Sequence, residues 1–186
     1  MRLFTGISPS PAVLGNLQRV IEQLRPIVRL KWSPVENLHI TTKFIGSWPD
    51  ERLEEMKQAL ASLETLDPFE ITIVGFGFLP NPRRPHVFFV GVQGGAQLPE
   101  LARRIDEVLE GVGCAREKRP YSPHLTLARI KDENVRGLHE RIASMTNFDF
   151  GTFPATEFRL YLSKPGPGGS VYSTLASFPL NTGHTA

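Results

Sequence analysis

At 186 residues the chain is long enough to bury a sizeable core, as one domain or as two small lobes sharing an interface, and 40% hydrophobic with 22% charged residues excludes extended disorder. A net charge of +2 is too small for a general nucleic-acid coat, although basic residues gather at Arg83-Arg84, at Arg116, Lys118 and Arg119, and at Arg129 and Lys131, which suits a local site for an anionic end. The lone Cys114 excludes an intrachain disulfide, and no stretch approaches a signal peptide or the ~20 apolar residues of a membrane span, so a cytoplasmic protein without a membrane partner is expected.

Residues 2–7 form an apolar-rich run ended by Ser8-Pro9-Ser10-Pro11, which predicts a first strand and a turn. Ser10 before Pro11 opens a helix, because serine caps and proline suits the first helical position. Val13, Leu14, Leu17, Val20, Ile21 and Leu24 then repeat at helical spacing. Residues 29–32 predict a brief strand. Over 38–45, Leu38, Ile40, Thr42 and Phe44 alternate with His39, Thr41, Lys43 and Ile45, so a strand is expected with one apolar face and one polar face looking into a cleft. Residues 46–49 are expected to break it, and Asp50 to open a helix with the stripe Leu53, Met56, Leu60 and Leu63.

Two β-branched and aromatic runs, 69–79 and 86–92, flank a proline-rich loop and predict a hairpin. An exposed amphipathic helix is expected at 98–109, then a loop at 111–123 rich in Gly, Pro and basic residues. A strand at 124–130, a helix at 133–145 and two strands at 157–163 and 170–178 complete the order, with a frayed tail from Asn181. Antiparallel hairpins interspersed with helices predict an α+β fold with the helices packed outside the sheets.

One phrase occurs twice, as His39-Ile40-Thr41-Thr42 and as His124-Leu125-Thr126-Leu127. Alternation puts the histidine and the first threonine of each copy on one face, so each offers an imidazole beside a hydroxyl. Neither copy has a cysteine or carboxylate at ligand spacing, which favours a metal-free acid-base pair over a metal site. Opening a cyclic phosphodiester requires one group to take a proton from water while another gives one to the departing ribose oxygen. Histidine titrates near neutrality, so two rings can hold opposite states at one pH. Threonine hydroxyls can donate to the non-bridging oxygens. His86, His139 and His184 lack a partner phrase and read as surface or structural residues, Cys114 as inert, and Gly94-Gly95 as a turn.

The two phrases, with Glu36-Asn37-Leu38 before the first and Arg119-Pro120-Tyr121-Ser122-Pro123 before the second, resemble the two-histidine (2H) phosphoesterase superfamily, and within it the LigT/ThpR-like RNA 2′,3′-cyclic phosphodiesterases. Arg2-Leu3-Phe4 and the run from Thr156 to Tyr161 also sit in family order, so the likeness covers almost all of 1–186 and implies a single bilobal domain. It implies two pseudo-symmetric lobes, each an antiparallel sheet with outer helices, and a cleft between them. His39 resembles the proton donor to the departing 3′ oxygen and His124 the base that activates water, leaving a 2′-phosphate. Thr41 and Thr126 match the phosphate-binding threonines, and Arg129, Phe44 and Tyr121 are the expected substrate-binding residues. Strict alternation places Arg129, five positions after His124, on the opposite face, so a bulge or the strand end has to re-aim it. His86 and Ser122 depart from the residues usual in relatives, and bear on base or strand recognition.

The expected partner is an RNA end or nucleotide carrying a 2′,3′-cyclic phosphate, bound by a monomer without metal or cofactor. The alternatives are the same site acting on an ADP-ribose cyclic phosphate or on 2′-5′ linked RNA, including 2′-5′ ligation, and an idle RNA-end-binding module.

Overall fold

The computed structural model describes residues 1–64 and 66–181. Along the chain these form β1 (Arg2–Ile7), α1 (Pro11–Leu24), β2 (Lys31–Trp32), β3 (Ile40–Ser47), α2 (Leu53–Ala61), β4 (Phe69–Leu79), β5 (Val87–Gln93), α3 (Gln97–Glu110), β6 (His124–Arg129), α4 (Arg136–Ala143), β7 (Asp149–Ala155), β8 (Glu157–Gly166) and β9 (Gly169–Pro179), with 3₁₀ turns at Val35–Asn37 and Asp50–Arg52. The helices start for the reasons their sequences suggest. The Ser10 hydroxyl accepts the Val13 amide at 3.3 Å, and Val13, Leu17, Val20, Ile21 and Leu24 form the buried stripe of α1.

Two sheets result, in the orders β3-β1-β8-β9 and β2-β6-β5-β4-β7, and every pairing is antiparallel. α3 lies against β3 and α2, and α1 lies against β7. The α+β architecture with two antiparallel sheets is therefore as expected. Buried side chains of both sheets, Phe158 and Leu160 from the first and Phe88 and Val90 from the second, join one continuous core. Each histidine strand sits at the side of its sheet that faces the other lobe, and β3 and β6 lie beside one another.

The structure departs from the periodicity in four places. β7 has no counterpart in the sequence reading, because Gly151 and Pro154 break its pattern. It is the edge strand paired to β4, where a proline can sit without costing a ladder bond, and Gly151 adopts φ 113° beside an irregularity in the register. β3 runs on through Gly46, at φ 82°, to Ser47 instead of stopping at residue 46. The expected helix at 133–145 begins only at Arg136, because Asn134 Oδ1 takes the Arg136 amide and Glu133 the Lys131 amide in a turn. The helix at 98–109 is far from merely exposed: Leu98, Leu101, Ala102, Ile105 and Leu109 are buried. Of the tail expected to fray, Asn181 is exposed and the remainder lies outside the described residues.

Candidate active site

Both imidazoles are oriented by the same backbone device. His39 Nδ1 lies 2.7 Å from the Asn37 carbonyl and His124 Nδ1 lies 2.9 Å from the Ser122 carbonyl, each two residues upstream. A carbonyl only accepts, so Nδ1 carries the proton in each ring and Nε2 is left as the atom that exchanges protons. His39 Nε2 is 2.9 Å from Thr41 Oγ1. Because Ser122 holds His124 through its carbonyl, its departure from a larger side chain leaves the ring's orientation untouched. Asn37 is itself fixed, its side-chain amide donating to the Ser170 carbonyl at 2.7 Å.

Around His39 stand three aromatic rings. Phe4 lies 4.7 Å from it, Tyr172 meets it edge-on at 5.3 Å and Tyr161 is 6.1 Å away. Burial lowers the His39 pKa below 6.5, the positive charges of His124 and Arg129 act the same way, and the bond to Asn37 opposes them. The unfolded chain thus takes up a proton that the native protein resists, so this contribution to stability is present above about pH 6.5 and is lost as pH falls through the lower native value. Urea unfolding of the wild type and His39→Gln between pH 7 and 5 should show the variant losing less stability over that interval.

The backbone just beyond each threonine resolves the geometric difficulty over Arg129. In β6, Phe89 pairs with Thr126 and Phe88 with Ala128, so Leu127 is an extra residue, a β-bulge whose carbonyl accepts the Ser33 amide at 2.8 Å. Val87, Phe89 and Gly91 share a face of unbulged β5, and their partners are Arg129, Thr126 and His124. All three therefore share one face, while Leu127 and Ala128 both turn to the core. β3 repeats the device. Gly6 pairs with Thr41 and Thr5 with Lys43, which makes Thr42 the extra residue, its hydroxyl 2.7 Å from that of Thr5 in the core. Phe44 is thereby put on the face of Thr41 and left 58% exposed, with the Arg2 guanidinium 5.5 Å above its ring.

That bulge corrects one expectation. Alternation put Lys43 on the polar face, whereas it is buried, ion-paired with Asp106 of α3 and bonded to the Ala115 carbonyl at 2.7 Å. Burial works against the Asp106 carboxylate, but the bonds from Lys43 and the Glu117 amide, with the charges of Lys43 and Arg116, hold its pKa below the usual value. The loop at 111–123 is tied down a second time by Tyr121, whose hydroxyl donates to the Thr41 carbonyl at 2.8 Å. Burial pushes that phenol up, so it stays a neutral donor and ties the segment ahead of the second phrase to the first. Between loop, α3 and β3 lies a cleft of about 520 Å³, with Thr41, Phe44, Arg103, Tyr121 and His124 in its walls.

His86 is exposed, and His139 packs its ring 4.5 Å from Phe78, the surface and structural roles expected of them. His184 lies outside the described residues. Cys114 is buried, with its thiol pushed up by burial, and Gly94-Gly95 is a turn into α3. Among the described residues no group of three or more His, Cys, Asp or Glu side chains is placed to hold a metal ion. Two supporting residues gave no sequence signal. Asp106 is one carboxylate among several on a charged helix, and Gly6 is a lone glycine in a strand where a Cβ would lie 2.8 Å from the Ile40 carbonyl and 3.5 Å from the His39 ring.

Two lobes meeting at a pair of His-x-Thr strands define the two-histidine phosphoesterase class. A profile of the 2′-5′ RNA ligase superfamily matches residues 13–166, and the chain belongs to that family. It is 31% identical to an RNA 2′,3′-cyclic phosphodiesterase of Archaeoglobus fulgidus, with 96% of this chain and 99% of the relative aligned. The enzyme of the same name from Methanocaldococcus jannaschii is 34% identical over 94% of this chain and 98% of its own. The crystal structure of a Thermus thermophilus protein superposes with a TM-score of 0.81 at 28% identity, covering 99% of this chain and all of that one. Escherichia coli LigT complexed with 3′-AMP shares the fold, with a TM-score of 0.76 at 24% identity over 96% of this chain and 97% of its own. Among the described residues no helix is long and apolar enough to cross a membrane.

Proposed function

We propose that the chain hydrolyses RNA-terminal 2′,3′-cyclic phosphates to 2′-phosphates. Water attacks phosphorus as His124 Nε2 takes its proton, the P–O3′ bond breaks, and His39 Nε2 protonates the departing 3′ oxygen. The observation that carries this reading is the matched pair of imidazoles, each held by a carbonyl at Nδ1 and so presenting Nε2 as the exchanging atom. In the ligand-free protein His39 favours its neutral form. An arriving phosphate anion offsets the Arg129 charge that disfavours protonation of His39, so the acid is charged as substrate binds. Thr41 and Thr126 donate to the non-bridging oxygens, Arg129 complements their charge, and the exposed Phe44 ring with that of Tyr121 receives the nucleoside. A lone buried thiol suits the cytoplasm as the compartment.

An oligonucleotide with a 2′,3′-cyclic end should be converted to the 2′-phosphate alone, and turnover should persist in a chelator. Exclusive 3′-phosphate product contradicts the roles given to the two histidines. Activity lost in chelator and restored by metal contradicts the chemistry. The family's description also favours one second reading: a 5′-hydroxyl in place of water at the same site gives a 2′-5′ linkage, detectable as a ligated product when a second strand is supplied.

A further inference from the structure

The second sheet has one strand more than the first. β2 adds two residues to the outer edge of β6 and sets Lys31 directly opposite Arg129. Direct partners in an antiparallel pair share a face with their Cβ atoms about 4.5–5.5 Å apart, and like charges placed so repel. The face in question is that of Thr126 and His124, as the pairing with β5 requires. Among the described residues neither Lys31 nor Arg129 has a carboxylate partner, whereas Lys43, Arg103, Arg104 and Arg116 all do. Lys31 also lies close to the other lobe. The tip of the β8–β9 hairpin reaches over from the first sheet, where a Cβ on Gly169 would lie 3.3 Å from Lys31 Cε and 3.8 Å from its Nζ. The neighbouring Ser170 carbonyl is the one that fixes Asn37, and through it His39.

A cyclic phosphodiester carries one negative charge and already meets two imidazoles and Arg129. A second uncompensated cation, held face to face with the first at the edge of the site, calls for a second anion. A strand end supplies one at a fixed place, because the ribose that bears the cyclic phosphate carries on its 5′ oxygen the phosphate of the next linkage. A cyclic mononucleotide has no such group. We infer that Lys31, placed beside Arg129, forms a subsite for the internucleotide phosphate on the 5′ side of the cyclic end, so that the protein selects RNA strand ends over 2′,3′-cyclic mononucleotides. The inference rests on the cyclic-phosphate reading above.

The test compares kcat/KM for a dinucleotide ending in a 2′,3′-cyclic phosphate and for the matching cyclic mononucleotide without a 5′-phosphate, in the wild type and in Lys31→Gln. The wild type should prefer the dinucleotide. The substitution should reduce that preference about tenfold, the scale of one charged hydrogen bond, chiefly through KM, and should flatten the dependence of dinucleotide turnover on salt. Lys31 is exposed and faces a like charge, so its loss leaves the sheet intact. An unchanged preference, or an equal loss on both substrates that would put Lys31 on the scissile phosphate, overturns the subsite. A wild type that opens neither substrate sinks the cyclic-phosphate reading itself, and the subsite with it.

Discussion

His39→Ala and His124→Ala should each lower turnover by about 10²–10⁴-fold while the protein stays folded, because each removes one partner of a proton relay that needs both. The fold tolerates the change, since each ring is bonded to backbone at Nδ1 and supports no other element through that bond. Combining the two substitutions should cost little more than either alone, as groups that act as a unit are not additive. His39 feels the charge of His124, so the acid and base limbs of a bell-shaped pH-rate profile belong to the pair. Steady-state kinetics on a cyclic-ended oligonucleotide with circular dichroism of each variant decides the matter, and near-normal turnover in both single variants would remove the mechanism.

Asp106→Ala should be the most damaging single change outside the core, destabilising the protein by about 3–5 kcal/mol in urea unfolding. The Lys43 side chain is only 5% exposed and that of Asp106 13%, so removing the carboxylate strands an ammonium with the Ala115 carbonyl as its remaining partner. Lys43→Met in the same background should recover part of the loss, because the stranded charge goes with it. If Asp106→Ala unfolds with wild-type stability, the ion pair is not a tie between β3 and α3. The loss should also reach the site, since Asp106 receives the Glu117 amide and so anchors the segment that carries Tyr121.

Much of this arrangement was legible in the residues. The duplicated His-x-Thr phrase, the capped stripe of α1 and the β4–β5 hairpin follow from short-range rules that the tertiary structure leaves in force. What alternation misread lies beyond Thr41 and Thr126. A bulge adds one residue without any marker in composition, so alternation puts Lys43 on the face that looks into the cleft and sets Arg129 beside His124 only if a bulge is supposed. β7 was hidden by a glycine and a proline that only its place at a sheet edge makes acceptable. The Lys43–Asp106 tie depends on α3 crossing β3, a contact 63 residues apart that no local pattern records.

The two sheets also differ in when they can exist. Every strand of the sheet that holds His124 lies between Lys31 and Ala155, whereas β1 of the other sheet pairs with β8, which follows all of them. During synthesis the first can assemble while the chain is still growing, but the ring of Phe4 must wait for Tyr161 and Tyr172 before His39 has its surroundings. A nascent chain can therefore hold His124 on its finished sheet before the surroundings of His39 are complete, and β8 and β9 are the strands that complete them.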